Sequence, residues 1–311
     1  MEHSLLFLSA SPHIRSEKTV SGIMLDVIAA LTPAAVAGII IFGYRAAVVM
    51  AVCISTAIIC EYLFQRVAKQ KILVADLSAC VTGLLLALNL PVTIPLWQAF
   101  IGSAFAVVVV KGLFGGIGKN FANPAITARD MMLIAFTDTM TSFVSPLNPD
   151  MVASATPLQL LKVSGEGLPT LKQMLWGVRG GCIGETCGIC IALGGIYLIL
   201  KGIISWVTPV CFVGTAFVLS FLYGGTDFAL YQILAGGLLL GAFFMATDYS
   251  TTPTRPLGKA VFGISCGLIT AAIRFYGSYP EGVSYAVLLM NIITPYIDKL
   301  TRPMPIGGNR K

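Results

Sequence analysis

The sequence predicts an all-α polytopic membrane protein. About ten transmembrane helices are expected, in two inverted five-segment repeats with broken or half helices. The first observation is composition: 56% of the 311 residues are hydrophobic and only 11% are charged. A soluble domain usually carries about 25% charged residues. The low charged fraction therefore predicts that much of the protein surface faces lipid. The second and third are a succession of apolar segments and a weak similarity between the two halves.

Ten apolar segments follow one another, and most approach the about 20 residues needed to cross the hydrocarbon of a bilayer. They cover approximately residues 23–43, 45–65, 77–91, 95–111, 121–136, 181–200, 206–223, 229–246, 257–274 and 283–298. The third segment is short, and the fifth follows a glycine-rich run and carries Asn123-Pro124. Interrupted backbone at membrane depth is tolerated where protein or a cavity satisfies it, and in transporter-like folds it indicates a binding site.

The two halves share short patterns in the same order. Gly83 and Gly237 each begin a leucine-rich run, and Pro95-Leu96 matches Pro256-Leu257. Five segments per half would make the repeats inverted. The predicted divisions are a cytoplasmic N-terminal segment 1–22, a first transmembrane repeat 23–136, an extracytoplasmic loop 137–180, a second repeat 181–298 and a cytoplasmic tail 299–311.

The basic residues indicate the orientation. The net charge is +6, but Lys and Arg are scattered singly, which excludes the patches that bind nucleic acid. With the N-terminus inside, fourteen of the 20 Lys and Arg residues fall on the cytoplasmic side and six outside. The positive-inside rule therefore predicts cytoplasmic termini and an outward-facing loop at 137–180.

Five acidic residues lie in or at the ends of apolar segments: Asp26, Glu61, Asp76, Asp130 and Glu185. A buried ionised carboxylate is costly, so each indicates a cation, a proton or a polar partner. For Glu61 and Asp76 a position at the membrane interface is an equal alternative. Asp26 and Glu185 fall in the first segments of the two halves, and we interpret them as candidates for an ion pathway.

Three of the eight cysteines, Cys182, Cys187 and Cys190, match a ferredoxin-type spacing for an iron–sulfur cluster. No fourth ligand follows nearby, and helical spacing would place the three on different faces. We therefore expect small packing residues and no metal site.

The predicted outer loop contains Ser154-Ala155-Thr156-Pro157. A hydroxyl residue directly before Pro is typical of a helix N-cap with Pro at the first helical position. A helix N-terminus also offers free N–H groups to a phosphate, so an anion near Thr156 is an alternative.

The Ser-Ala-Thr of this loop resembles the flavin-attachment motif, Ser-x-x-Thr or a close variant, of one membrane redox family. Five further runs agree in order: SPHI (11–14), DVIAALTP (26–33), GIGKNFANPA (116–125), GCIGET (181–186) and MATDYSTTP (245–253). Together they resemble the NqrB/RnfD family, which takes its name from membrane proteins of the sodium-pumping NADH:quinone oxidoreductase and of the Rnf complex. The chain departs from that pattern at Cys182 and Cys187, where small polar residues are usual, and at Asp248-Tyr249-Ser250.

The resemblance implies FMN joined through a phosphodiester to Thr156, with Ser154 in the same motif. It also implies a second, non-covalent flavin, riboflavin or another FMN, at Asn120 and Asn123. The alternative is that these two amides form hydrogen bonds with backbone groups that the break in segment five leaves unpaired.

The implied function is that of a component of the bacterial inner membrane that relays electrons within a ferredoxin:NAD oxidoreductase (Rnf) complex, coupled to Na⁺ or H⁺ transport. Implied partners are membrane lipid and the A, B, C, E and G subunits, especially the flavin-bearing G subunit. The soluble substrates would bind those partners, because the chain shows no dinucleotide fingerprint, and it should have no turnover alone. The alternatives are a non-redox solute channel or transporter, and a structural membrane anchor.

Overall fold

A computed structural model of the protein describes residues 19–146, 154–163, 167–185, 187–277, 279 and 281–302. Within these ranges the elements are helical and none is a strand. Most of the two predicted cytoplasmic ends, residues 1–18 and 303–311, lies outside the described residues. Residues 147–153, before the Thr156 motif, lie outside them as well.

The first half contains five helices. They are α1 (Val20–Phe42), α2 (Tyr44–Val67), α3 (Ser78–Leu88), α4 (Leu96–Phe105) and α5 (Pro124–Ala135). Gly43 divides α1 from α2 because its φ of +78° lies in the left-handed region that glycine tolerates. A π-helical turn, Ala106–Gly112, extends α4 and carries Lys111. The side chain of Asn123 caps α5, and Pro124 occupies its first turn.

Three short helices follow: α6 (Thr137–Met140), α7 (Pro157–Val163) and α8 (Leu171–Trp176). The last two hold the predicted outer loop against the second half. Leu158 of α7 and Met174 of α8 form a small buried cluster with Ala235. The short helices α7 and α8 are therefore held in place by packing as well as by their chain connections.

The second half contains α9 (Gly188–Leu200), α10 (Val207–Leu234), α11 (Leu238–Leu240), α12 (Pro256–Tyr276) and α13 (Val283–Leu300), with a π-helical turn at Gly241–Met245 after α11. Two predicted boundaries were wrong. The segment expected at 206–223 matches the part of α10 before Gly225, where a non-helical residue with a φ of +81° separates two helices at a kink. The segment expected at 229–246 is not continuous, because the second of these helices ends at Leu234 and α11 begins at Leu238.

The second error concerns the segment expected at 181–200, because its helix begins only at Gly188. The backbone before it pairs elsewhere: the N–H of Ile183 donates to the carbonyl of Leu90 at 3.0 Å, and the N–H of Gly184 to that of Leu88 at 2.7 Å. The orphan carbonyls at the end of α3 are satisfied in this way. Glu185 thus lies on irregular, buried backbone.

Four helices, α1, α2, α10 and α12, are long and apolar enough to cross a membrane, and α3, α4 with its π-turn and α9 are shorter apolar helices. The prediction of an all-helical membrane protein is therefore confirmed for the part of the chain that the structure describes. The count of ten spans and the inverted repeat remain predictions.

The two halves meet where α1 packs on α9 and α5 packs on α13. At the first of these contacts, a Cβ on Gly194 would lie 2.2 Å from the carbonyl oxygen of Ala30. Only glycine allows the two backbones to approach this closely. Phe212 and Phe262 are the largest side chains buried in the main core.

Candidate functional site

A cavity of about 250 Å³ lies between the two halves, at the end of the bundle where α1 begins. Its size is near the lower end of the range of about 300–1,000 Å³ that small-molecule sites occupy. Apolar walls come from α1, α3 and the π-turn after α11. The polar lining is Ser78, Thr82, Lys111, Asn120, Asn123, Thr247, Asp248, Tyr249 and Ser250. A mainly apolar space with a few polar groups is the usual form of a cofactor site.

The structure brings the two predicted amides, Asn120 and Asn123, to this cavity. The Oδ1 atom of Asn123 accepts from the N–H groups of Ala125 at 3.0 Å and Ile126 at 3.4 Å, so it caps α5. The Oδ1 atom of Asn120 is buried and has no hydrogen-bond partner within the described residues. An unsatisfied buried acceptor is costly, so Asn120 is the group here that fits an added ligand.

Lys111 reaches the same cavity from the π-turn. Its Nζ lies 2.5 Å from Oε1 of Glu61 and 2.5 Å from Oγ of Ser78, and both charged side chains are buried. The other oxygen of Glu61, Oε2, has no partner among the described residues. π-turns recur at functional sites. Glu61 is therefore a buried acid with a charged partner, one of the possibilities that its place in an apolar segment predicted.

The loop after α11 and its π-turn contributes Asp248. Its Oδ2 accepts from the hydroxyls of Ser250 at 3.0 Å and Thr251 at 3.2 Å. Burial raises the pKa of Asp248 above its usual range, although these hydroxyls favour the charged form. The loop therefore adds a partly buried, hydrogen-bonded carboxyl group to the cavity wall.

A second cluster, which we call the charge cluster, contains Arg129, Glu185 and Glu281, all from different parts of the chain. Arg129 pairs closely with Glu281, donates to Ser284 at 2.8 Å and lies 4.0 Å from Glu185. Arg179 donates to the backbone carbonyl of Glu185 at 2.5 Å. Buried charges are tolerated when they are paired and hydrogen-bonded.

The two predicted ion-pathway acids are not brought together. Glu185 is buried in the charge cluster, whereas Asp26 lies on α1 and is 24% exposed. Asp26 accepts from the hydroxyl of Tyr197 at 2.8 Å and pairs with Lys201 at 3.3 Å. Each acid is therefore partnered, but in a different environment.

Thr156 occupies the N-cap position of α7. The N–H of Gln159 donates to its Oγ1 at 3.3 Å, and the Gln159 side chain accepts from the Thr156 N–H at 2.9 Å. This reciprocal pair is a capping box. Ser154, two residues earlier, donates its N–H to the carbonyl of Phe143 at 2.9 Å. Within the described residues the hydroxyl of Thr156 accepts one hydrogen bond, from Gln159, and the residue is 5% exposed.

The family model described as "NQR2, RnfD, RnfE family" matches residues 7–307. The chain belongs to this family. Among relatives in the NQR2, RnfD, RnfE family, the D subunit of the Na⁺-translocating ferredoxin:NAD⁺ oxidoreductase complex of Acetobacterium woodii is 44% identical, over 97% of this chain and 95% of the relative. The D subunit of the proton-translocating complex of Clostridium ljungdahlii is 41% identical, over 100% and 98%. The D subunit of an ion-translocating oxidoreductase complex of Halorhodospira halophila is 36% identical, over 97% and 96%.

The sequence analysis did not single out the basic residues of the cavity and of the charge cluster. Lys111 and Arg129 were counted only as topology signals, and Glu281 was not singled out. The position of Arg129 beside Asp130 inside an apolar segment was the available signal, because charges within membrane segments are rare and face partners. Nothing in the sequence pointed to Glu281 as the partner, since 152 residues separate it from Arg129.

Proposed function

We propose that this protein is the D-type membrane subunit of an ion-translocating ferredoxin:NAD⁺ oxidoreductase complex. The observation that carries the proposal is full-length similarity, at 44% and 41% identity, to relatives named as the D subunits of such complexes. Those names favour an electron-transfer subunit over a non-redox channel. Electrons would enter and leave through other subunits, because no nucleotide fingerprint lies in this chain.

The proposal includes ten bilayer-depth segments in two inverted repeats. The order α1 to α5 parallels α9 to α13, with the short α3 and α11 in equivalent places. The contacts between halves, α1 with α9 and α5 with α13, pair equivalent elements, as a pseudo-two-fold axis requires. Both termini are then cytoplasmic, and residues 137–180 face outward.

Thr156 is proposed to carry FMN through a phosphodiester. The support is the family relationship, the Ser-Ala-Thr motif and a hydroxyl whose hydrogen bond within the described residues is weak, at 3.3 Å. With seven residues, α7 is too short for its dipole to bind the phosphate by itself. When bound, a flavin supplies one- and two-electron transfer, and the protein positions it.

Replacing Thr156 by Ala tests this attachment. The chain offers a matched control in Thr170, which caps α8 through the same type of capping box with Gln173. Wild type and Thr170→Ala, expressed with a flavin transferase, should fluoresce under ultraviolet light after denaturing electrophoresis. Thr156→Ala should be dark and lighter by the mass of the flavin. A dark wild type, or a fluorescent Thr156→Ala chain, would contradict the proposal.

The cavity is proposed to hold the second, non-covalent flavin. Asn120 offers an unused amide oxygen, and Lys111 places a positive charge on the wall. Amide groups can hydrogen-bond the edge of a flavin ring, and a nearby charge tunes its electronics. Asn123 has a structural role as well, because it caps α5.

Asn120→Leu separates these roles, since Asn120 Oδ1 has no protein hydrogen bond to lose within the described residues. We expect this variant to lose flavin that is released by denaturation while the fluorescence on Thr156 remains. Asn89→Leu, a buried Asn outside the cavity, is the control. Wild-type protein that releases no flavin, or an Asn120→Leu chain that releases the wild-type amount, would count against the site.

Ion movement is proposed to involve Glu185 and Asp26. Glu185→Gln and Asp26→Asn should lower ferredoxin-driven ion uptake into vesicles without loss of flavin, whereas the exposed Asp227→Asn should not. The relatives transport Na⁺ in one case and protons in the other. Uptake that needs Na⁺ and resists protonophores would assign Na⁺, and the opposite pattern would assign H⁺. Normal uptake in both variants would remove these acids from the pathway.

The partners proposed for this protein are the A, B, C, E and G subunits, with the flavin-bearing G subunit on the outer side near Thr156. The relatives' names place them in multi-subunit complexes. Cross-linking from the 137–180 loop in the assembled complex should reach the G subunit first. Cross-links only to cytoplasmic subunits would contradict this arrangement.

A further inference from the structure

The start of α9 carries two cysteines whose sulfur atoms are in contact. Cys187 is the N-cap of α9 and Cys190 is three residues further on, in its first turn. Their Sγ atoms are 3.1 Å apart. A disulfide bond is about 2.05 Å long, so a shift of about 1 Å would join them. Both are free thiols in the structure.

The contact results from local backbone geometry. Cys187 has φ −89° and ψ 91°, outside the helical region, while Cys190 is helical. The side chain of Cys187 is therefore free to turn over the first turn of α9 toward Cys190. Within the described residues no other two cysteine sulfurs make such a contact.

The third cysteine of this stretch takes no part. Cys182 lies before α9, and its Sγ is within 4.8 Å of carboxylate oxygens of Glu185 and Glu281. Helical spacing was expected to place the three sulfurs on different faces of one helix. That was wrong, because Cys182 lies before the helix and the sulfur of Cys187 contacts that of Cys190.

We propose that Cys187 and Cys190 form a reversible, redox-active dithiol–disulfide site whose substrate class is disulfides. This inference is independent of the flavin sites. Cys190 is partly exposed, whereas Cys187 is 7% exposed, so Cys190 is the attacking group.

The exchange balances without a further oxidant. The sulfur of Cys190 attacks an external disulfide, forms a mixed disulfide and releases the first external thiol. Cys187 then attacks the Cys190 sulfur, and the second external thiol leaves. Each protein thiol loses one proton, each external sulfur gains one, and the two electrons pass to the external disulfide.

Oxidation would act on the charge cluster. The disulfide would tie the N-cap of α9 to its first turn, and the N-cap lies two residues after Glu185. The backbone carbonyl of Glu185 is held by Arg179. The oxidation state of the pair would therefore restrict the backbone that positions a buried acid.

The test uses the full-length protein in detergent and dithiodipyridine, an apolar disulfide. Wild type should lose the two alkylatable thiols of Cys187 and Cys190, gain no adduct at either, and yield a peptide that is lighter by two hydrogen atoms, all reversed by dithiothreitol. Cys187→Ser should keep the pyridyl adduct on Cys190, because no resolving thiol remains. Cys190→Ser should react slowly or not at all. Cys266→Ser, a buried cysteine in α12, should behave as wild type.

Several outcomes would overturn the proposal. Wild type that retains both thiols would show that the pair does not oxidise. Loss of both thiols with two stable adducts would show that the sulfurs do not join. A persistent adduct in Cys190→Ser but none in Cys187→Ser would overturn the assignment of the attacking thiol. Peptide mapping of wild type decides the first two outcomes even if a variant does not fold.

Discussion

Two of the buried cations in this bundle pair with acids from distant parts of the chain. Lys111 of the first half pairs with Glu61, 50 residues away, and Arg129 pairs with Glu281 of the second half. Burying an ion is costly, and its partner recovers that cost only at short distance. The pairs therefore fix where α2 and α5 lie relative to their neighbours.

Replacing Lys111 by Met should lower the free energy of unfolding by about 3–5 kcal/mol, because Glu61 then remains buried without a counter-charge. The double variant Lys111→Met with Glu61→Gln should recover most of that loss. Thermal unfolding in detergent, followed by circular dichroism, measures both.

The matched control is Lys71→Met, which changes an exposed lysine between α2 and α3 and should have little effect. A double variant as unstable as the single one would show that Lys111 stabilises the fold by another route than charge pairing.

At the scale of elements, small residues set how closely helices approach. Gly194 of α9 lies against the backbone of Ala30 in α1, and Gly83 of α3 lies against the backbone of α2 at Cys53 and Ile54. Small residues at helix interfaces are typical of membrane proteins, where close packing replaces hydrophobic burial. The contact at Gly194 also belongs to the packing of α1 on α9, which joins the halves.

Gly194→Val should therefore separate α1 from α9 and lower the unfolding temperature, with a cost of about 1–3 kcal/mol or more from overpacking. Gly214→Ala is the control, because a Cβ there meets no atom within 4 Å, and it should be neutral or slightly stabilising. Thermal unfolding of the two variants beside wild type is the measurement. If Gly194→Val were as stable as wild type, α1 and α9 would be able to move apart without a loss of stability, which would contradict the prediction.

At the scale of the whole molecule, the distribution of Lys and Arg predicts the orientation in the membrane. Cysteines introduced singly at exposed positions of a variant without native cysteines test it. Lys172→Cys in the 137–180 loop should react with a membrane-impermeant maleimide in intact spheroplasts. Lys71→Cys should react only after lysis. The reverse pattern would place the Thr156 loop in the cytoplasm.

Composition was sufficient for the class of protein, since 11% charged residues cannot cover a soluble surface. The ordered motifs were sufficient for the family, which the match over residues 7–307 confirmed. The break before α5 was also predictable, because Asn123-Pro124 is a local cap signal that does not depend on distant contacts.

Other features depended on tertiary structure. Hydropathy could not tell that the segment expected at 229–246 is divided between Leu234 and Leu238, because this stretch is mostly apolar throughout. Nor could it tell that residues before Gly188 pair with the end of α3 instead of extending α9.

The sequence by itself determined that this chain lies in lipid, where it breaks, and which motifs it carries. The tertiary structure decided which residues meet: Asn120 and Lys111 at one cavity, Arg129 with Glu281, and Cys187 with Cys190. The physical reason is that hydropathy and capping are local properties of the chain. The partner of a buried charge, amide or thiol is chosen by the packing of helices that are far apart in sequence.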